Sequence, residues 1–202
     1  MEAVKSSVID WGAATQPLGD NVYSGDAFAI KELREGVLVA VIDGLGHGED
    51  AAEAARIAVA VIMSSESDDL FQIVRDCHGA LTGTRGVVMS LAFINAGNKT
   101  MTWMGVGNVE GRLERADTDT SPSHEDMFLR SGVVGYQLPP LRSAVLSIAP
   151  GDMLFLTTDG ISGGFAEEVN IANSPQKIAD RIIAKYAKKS DDALALVVRY
   201  TG

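Results

Sequence analysis

The chain has 202 residues, of which 46% are apolar and 22% are charged, and this composition predicts a single domain over residues 1–202. With 27 acids against 17 bases, its formal net charge of -10 disfavours nucleic-acid partners, because a phosphate backbone would be repelled. A single cysteine, Cys77, excludes an intramolecular disulfide and indicates a reducing compartment. No apolar run approaches the roughly 20 residues that span a bilayer, and the first residues lack a signal-peptide pattern. We therefore expect a cytoplasmic protein that has no membrane partner.

Short apolar runs bounded by glycine and polar residues predict strands, and three segments show helical periodicity. In chain order, the sequence predicts a strand at 37–43, helices at 49–64 and 70–81, strands at 87–94, 100–106, 144–148 and 153–158, a helix at 175–188 and a strand at 194–200. The polar stretch 116–126 predicts a flexible loop. Several strands are apolar on both faces, which indicates sheets buried between other layers. Because helices and strands do not alternate strictly, we predict a mixed α+β fold with mostly antiparallel pairing.

Acidic residues stand at the edges of apolar strands at four sites, each beside glycine or another acid. They are Asp26 in SGDAFAI, Asp43 in VAVIDGLGHG, Asp159 in FLTTDGIS, and Asp191 with Asp192 in KKSDDALALVV. A carboxylate fixed beside a buried strand loses solvation unless a positive charge meets it. One Asp-Gly alone is most often an ordinary turn, but the combination predicts a centre with enough ligands for two ions. Carboxylates, backbone carbonyls and water are the ligands that Mg²⁺ and Mn²⁺ prefer.

These segments carry a resemblance to a known family. The series SGDAF, VIDGLGHGEDAAEAA, RGVVMSLAFI, GVGNVEGRL, LTTDGIS and SDDALALVV resembles the PPM-type, metal-dependent serine/threonine protein phosphatases, in their bacterial branch of SpoIIE-like and RsbX-like enzymes. The resemblance covers nearly the whole chain and is closest to the stand-alone, RsbX-like phosphatases of the stressosome. It implies two packed, mostly antiparallel β-sheets flanked by α-helices, that is, an α-β-β-α sandwich.

The resemblance also implies how the acids divide between two Mn²⁺ or Mg²⁺ ions. Asp43 would bridge both ions, and the backbone carbonyl of Gly44 and the carboxylate of Asp26 would bind the second. Asp159 and Asp191 would hold the first ion. The ion pair would activate a water that attacks phosphorus in line, so no covalent phosphoenzyme is needed.

Departures from the family pattern affect three details of this site. Asp192 stays an alternative to Asp191 as a metal ligand, and Leu194 replaces a threonine whose hydroxyl would support the acids. Asn108 stands where other members have an aspartate linked to a third ion, which predicts two ions and not three. His47 is interpreted as a polar residue of an exposed glycine turn, with proton transfer or substrate contact as the alternative.

The resemblance implies that phosphorylated RsbR-like and RsbS-like STAS-domain proteins of a stressosome are the substrates, and we expect the protein itself to be a monomer. One alternative is a phosphatase-like interaction module without turnover, which should have lost metal ligands. Another is a nucleotide-binding protein that uses the GLGHG turn, although Glu49 replaces the third glycine of that fingerprint. The pair Lys188 and Lys189 is interpreted as a helix cap, with guidance of an anionic substrate as the alternative.

Overall fold

A computed structural model describes residues 8–19, 23–117 and 119–202. The described strands are β1 (Ile9–Gln16), β2 (Asp26–Leu33), β3 (Gly36–Gly44), β4 (Val87–Asn95), β5 (Thr100–Val106), β6 (Glu110–Glu114), β7 (His124–Asp126), β8 (Leu129–Arg130), β9 (Ala144–Ser147), β10 (Met153–Thr157) and β11 (Ala193–Tyr200). The helices are α1 (Glu49–Ser64), α2 (Leu70–Ala80) and α3 (Pro175–Tyr186), with a 3₁₀ turn at Phe165–Glu168.

The strands form two sheets. One has the order β1-β11-β10-β6-β7, and the other has the order β2-β3-β4-β5-β8, with β9 also paired to β5. Every strand pair among the described residues is antiparallel except β5 with β8. The sheets pack face to face, α1 and α2 cover the outer face of the second sheet, and α3 covers the first. The predicted α-β-β-α sandwich is confirmed.

The central strand β3 shows why the sequence favours buried sheets. Leu38, Ala40 and Ile42 pack towards α1 and α2, while the alternate residues Val37 and Val39 pack between the two sheets. Side chains of a strand alternate between its faces, so a strand apolar at every position must be covered on both sides. Burying each large side chain contributes roughly 1.5–3 kcal/mol, and this favours the four-layer arrangement.

Each helix has a local reason for its bounds. Helix α1 buries a face of small residues, including Ala51, Ala54 and Ala58, which lets it approach the sheet closely. Helix α2 begins after Asp69, whose carboxylate accepts a hydrogen bond from the backbone N–H of Phe71 at 2.9 Å. Within the described ranges, no helix is long and apolar enough to cross a membrane.

Two sequence predictions need correction. The stretch 116–126 is not all loop, because its last three residues form β7, which pairs with β6. Those residues are polar and lie at a sheet edge, so they lack the apolar alternation by which strands are recognised. The third helix ends at Tyr186, two residues earlier than predicted. No bounds were predicted for β1, β2, β6 or β8. Strands β6 and β8 are short and carry few apolar residues, and β1 and β2 carry polar or charged residues among their apolar ones.

Candidate active site

The fold brings the strand ends that carry the candidate acids to one place. Asp26 begins β2 and lies opposite Asp43 in the register of β2 with β3. Asp159 follows the end of β10, and Asp191 precedes the start of the antiparallel neighbour β11, so these two share an edge of the other sheet. The sheets are joined here by Thr158, whose hydroxyl donates to Asp26 Oδ2 at 2.7 Å.

An open cavity of about 490 Å³ lies at this meeting point. Asp43, Asp159 and Asp191 line it together, and His47 and Asn108 form part of its wall. Asp26 and Asp192 lie behind the lining and are nearly inaccessible, with 8% and 3% of their surface exposed. Of the five acids that the sequence predicts, three therefore line the cavity and two lie behind it.

Asp26 at the start of β2 and Asp43 near the end of β3 form no ion pair with a described basic residue. Burial, followed by the negative charges of Asp26 and Asp159, raises the pKa of Asp43 to about 8. Burial also raises the pKa of Asp26 to about 7, although the hydrogen bond from Thr158 opposes the rise. The charges with the largest effect on these two carboxyl groups are those of other aspartates. The site consequently requires either protons or a cation.

The adjacent acids Asp191 and Asp192 have different surroundings. Asp192 accepts two backbone hydrogen bonds, from the N–H of Leu18 to Oδ1 and from the N–H of Gly25 to Oδ2, both at 2.7 Å. Asp191 lines the cavity, and its Oδ1 accepts the backbone N–H of Asp192 at 2.9 Å. The carboxylate of Asp192 therefore joins the loop before β11 to the connection between β1 and β2, while Asp191 lines the cavity.

Asp159 is held at both its side chain and its backbone. The side-chain amide of Asn108 donates to Asp159 Oδ2 at 2.7 Å, and the ammonium of Lys188 donates to the Asp159 backbone carbonyl. Lys188 lies two residues beyond the end of α3, and its side chain reaches the Asp159 turn instead of a carbonyl of the helix. Its contact instead fixes the turn that presents Asp159.

The glycines that follow two of the acids are required by close packing. A Cβ at Gly44 would lie 2.1 Å from the carbonyl oxygen of Ala51 in α1, and one at Gly160 would lie 1.8 Å from the carbonyl oxygen of Asp192. Neither glycine has a positive φ. Both Asp-Gly pairs therefore mark places where two backbones touch: Gly44 ends β3, and Asp159 and Gly160 lie in a turn closed by the hydrogen bond from the N–H of Ile161 to the carbonyl of Thr158 at 3.0 Å.

Thr158 supplies a hydroxyl whose role was not predicted. Its Oγ1 donates to Asp26 and accepts the backbone N–H of Leu194 at 2.9 Å. Thr158, which follows the neighbouring strand β10, therefore supplies the supporting hydroxyl that Leu194 lacks. The signal in the sequence is the second threonine of LTTDG, although nothing local shows that it points at Asp26.

These residues fit hard divalent cations in the chemistry of their donor atoms, which are carboxylate and carbonyl oxygens. No group of three or more His, Cys, Asp or Glu side chains in the described residues converges as a ready-made cage. Mg²⁺ usually keeps several waters and binds one or two carboxylates directly, so acids that line an open cavity suit it. The uncompensated negative charge at Asp26 and Asp43 indicates the same occupant.

The dinucleotide-binding alternative does not fit the region of the GLGHG turn. Strand β3 runs antiparallel to both of its neighbours, whereas that fingerprint belongs to a parallel βαβ unit. Helix α1 begins with Glu49 and Asp50, which would repel a pyrophosphate at its amino terminus. His47 is exposed on the cavity wall, a position that both interpretations of this residue allow.

The sequence of this chain is similar to those of known proteins. The family model described as Stage II sporulation protein E (SpoIIE) matches residues 34–201. Phosphoserine phosphatase RsbX of Bacillus subtilis (strain 168) is 28% identical over 140 residues, which cover 68% of this chain and 67% of that protein.

Two solved structures show the fold across almost the whole chain. A chain from a structure of the bacterial stressosome, described as a modular system adapted to control secondary messenger signaling, is 30% identical with a TM-score of 0.86, over 95% of this chain and 99% of that one. A structure of RsbX in complex with magnesium is 22% identical with a TM-score of 0.83, over 96% of both chains.

Proposed function

The chain belongs to the SpoIIE family of PPM-type, metal-dependent phosphatases, and from this premise we propose that it hydrolyses phosphoserine and phosphothreonine on proteins. One observation carries the proposal: Asp43, Asp159 and Asp191 line a single cavity, backed by the buried carboxylate of Asp26. A set of oxygen donors that lacks a counter-ion suits the binding of divalent cations. We further propose that residues 1–202 act as one phosphatase domain.

The proposed division of ligands uses five residues. Asp43 would bind both of two Mg²⁺ or Mn²⁺ ions, the carbonyl of Gly44 and the carboxylate of Asp26 would complete one shell, and Asp159 and Asp191 would complete the other. When bound, such ions lower the pKa of water towards neutrality and neutralise phosphoryl oxygens. We propose Asp191 as the ligand in preference to its neighbour, because it lines the cavity.

The surrounding residues of the chain would orient these ligands. Thr158 fixes one oxygen of Asp26, and the other accepts no hydrogen bond from the described residues. Asn108 does the same for Asp159. Asp192 ties its own loop to the connection between β1 and β2, through Leu18 and Gly25. Hydrogen bonds to ligating carboxylates restrict their rotamers, so the donor oxygens need little reorganisation when a cation binds.

We propose that the substrates are phosphorylated RsbR-like and RsbS-like STAS-domain proteins. The support is the likeness to phosphoserine phosphatase RsbX and to a chain from a stressosome structure. Such substrates would place the enzyme in the cytoplasm, where the buried free thiol of Cys77 would also stay reduced.

The test is to incubate the protein with kinase-phosphorylated STAS-domain proteins, with Mn²⁺ or with a chelator. We expect phosphate release only with the metal, and a loss of at least about 1000-fold in Asp43→Ala, because this substitution removes the proposed shared ligand. Asp76→Ala is a matched control, since Asp76 is an exposed aspartate on α2. Near-full activity of Asp43→Ala would contradict the mechanism.

A parallel assay with p-nitrophenyl phosphate separates the enzyme from a binding module. An interaction module would release no nitrophenol with Mn²⁺, whereas the proposed phosphatase releases it in a chelator-sensitive reaction. If p-nitrophenyl phosphate is hydrolysed but phosphorylated STAS-domain proteins are not, the substrate assignment is wrong and the chemistry stands.

A further inference from the structure

A short hairpin beside the active-site cavity presents an exposed aromatic side chain. Residues 131–133 line the cavity, and the chain then turns back through two hydrogen bonds between Val133 and Gln137. Tyr136 lies in this turn and is 81% exposed, the largest exposure among the large apolar side chains of the described residues. An aromatic ring this exposed loses the stabilisation that burial would give it.

The turn that carries Tyr136 is firmly anchored. Val134 exchanges two backbone hydrogen bonds with Val87, at 2.8 and 2.9 Å. The N–H of Gly135 donates to Nδ1 of His78 on α2 at 2.9 Å. Gly135 has a φ of 99°, and a Cβ there would lie 2.6 Å from the Cβ of Leu81, so the turn also packs tightly on α2. Binding through Tyr136 would therefore order little additional chain.

A second exposed aromatic residue lies on the other side of the lining segment in the sequence. Phe128 is 68% exposed, and the guanidinium of Arg130 lies 5.0 Å from the centre of its ring. Within the described part of the chain, Arg130 Nε is buried and has no hydrogen-bond partner. The carbonyl of Arg130 accepts the N–H of Gly107, another cavity residue, at 2.8 Å. The cavity segment is thus flanked by two aromatic rings and a cation.

We propose that Tyr136, Phe128 and Arg130 form a docking rim for the folded phosphoprotein substrate, and this inference rests on the proposed function. The rim is continuous with the cavity through residues 131–133 but contributes none of its lining. It can contact only a substrate that extends well beyond the phosphoryl group. Tyr and Arg dominate the binding energy of protein interfaces, and Tyr does so with little loss of side-chain entropy.

The chemistry of the rim defines its partner. Tyr136 requires an apolar recess, and Arg130 requires an acceptor, best supplied by a carboxylate. The chain carries a net charge of -10, so a cation beside the cavity would reduce the repulsion of an acidic substrate at this face. The occupant is therefore a folded protein that bears its phosphoserine close to an apolar recess and an acidic residue.

The experiment compares a large and a small substrate on the same variants. The probes are a phosphorylated STAS-domain protein and p-nitrophenyl phosphate, both with saturating Mn²⁺. For Tyr136→Ala we expect kcat/KM on the phosphoprotein to fall about 10- to 30-fold, mainly through KM, while turnover of p-nitrophenyl phosphate stays at the wild-type level. Tyr136→Phe keeps the ring and should retain most of the phosphoprotein activity.

A second variant tests the anchoring of the turn that carries Tyr136 without changing a residue of the docking rim. His78→Ala removes the acceptor for the N–H of Gly135, and we expect a fall of about threefold on the phosphoprotein only; His78→Asn, which offers an amide oxygen instead, should restore activity. Met63→Ala is the matched surface control, because Met63 is 45% exposed near the far end of α1.

The outcomes separate the docking rim from the proposed function. If the wild type hydrolyses the phosphoprotein and Tyr136→Ala matches it, the rim is wrong and the proposed function stands. An equal loss on both substrates would place Tyr136 in the cavity chemistry and would also overturn the rim. If the wild type hydrolyses p-nitrophenyl phosphate but not the phosphoprotein, both the proposed substrate and the rim are wrong.

Discussion

Two sites in this molecule contain a buried aspartate. At one site its negative charge is compensated by neighbouring groups, and at the other it is not. Asp152 is only 3% exposed and accepts the N–H groups of Ala116 and Ala149 at 2.9 and 3.0 Å, together with the guanidinium of Arg115 at 3.0 Å. Glu125 binds the other end of that guanidinium. The charge at this site is compensated within the fold.

At the candidate active-site cavity, Asp26 and Asp43 have no cationic partner among the described residues. Burial, together with the negative charges of other aspartates, raises the pKa values of Asp26 and Asp43. A compensated buried acid holds loops together, whereas an uncompensated one reduces the stability of the fold until a proton or a cation arrives. The second arrangement persists where binding of a cation is the function.

The largest expected effect comes from removing one acid at each site. Asp152→Ala should destabilise the protein by about 3–5 kcal/mol, because it leaves the Arg115 guanidinium and two backbone N–H groups without an acceptor. Asp43→Ala should instead leave the metal-free protein at least as stable as the wild type at pH 8. Urea unfolding in a chelator measures both, with Asp126→Ala as an exposed control. A destabilised Asp43→Ala would remove the distinction between the two sites.

Addition of a divalent cation should act on the active-site acids alone. A ligand present at 100 times its Kd stabilises the native state by about 2.7 kcal/mol, so Mn²⁺ should raise the Tm of the wild type clearly. The same addition should leave the Tm of Asp43→Ala unchanged. Differential scanning calorimetry checks this, with Asp76→Ala expected to respond like the wild type. An equal rise in Asp43→Ala would show that the ion binds elsewhere.

The metal-free protein should lose stability as the pH rises. The pKa of Asp43 is raised from 3.8 to about 8 and that of Asp26 to about 7, so the native state binds more protons than the unfolded state between about pH 4 and pH 8. Stability therefore falls across this window, by about 4 kcal/mol at most between pH 6 and pH 8.

Chemical unfolding in a chelator at the two pH values measures this slope. Asp43→Asn should reduce the slope, because the amide does not titrate while Asp26 still does, and saturating Mn²⁺ should flatten it. A wild-type protein that is more stable at pH 8 than at pH 6 without metal would show that the two carboxyl groups are already compensated.

The smallest expected effect concerns the hydrogen bond from Asn108 to Asp159. Asn108→Ala frees the Asp159 carboxylate to rotate, and the loss of one such bond costs about 1 kcal/mol, so the Kd for Mn²⁺ should rise about fivefold. Isothermal titration calorimetry measures this independently of turnover. Asn98→Ala, in the turn between β4 and β5, is the control. An unchanged Kd would mean that Asn108 only shapes the cavity wall.

Much of the fold follows from local patterns in the sequence. Strands such as β3 and β11 are apolar at nearly every position, so they must be covered on both faces, and this alone predicts buried sheets with helices outside. The helices were recognised within two residues because their apolar faces recur at helical spacing. The edge strand β7 was not predicted, because its polar residues show no alternation of apolar and polar positions.

The sequence by itself determined which acids stand at strand ends. It also determined that these acids outnumber the basic residues near them. The tertiary structure decided what each of them contacts. Asp191 and Asp192 are neighbours in the chain, yet only contacts with distant residues distinguish them, such as the bond from the N–H of Leu18 across 174 positions. The same holds for Thr158 on Asp26, which are 132 positions apart. Local pattern fixes the elements because their periodicity is a property of neighbours, but the partner of a buried charge depends on which distant segments the packed layers bring together.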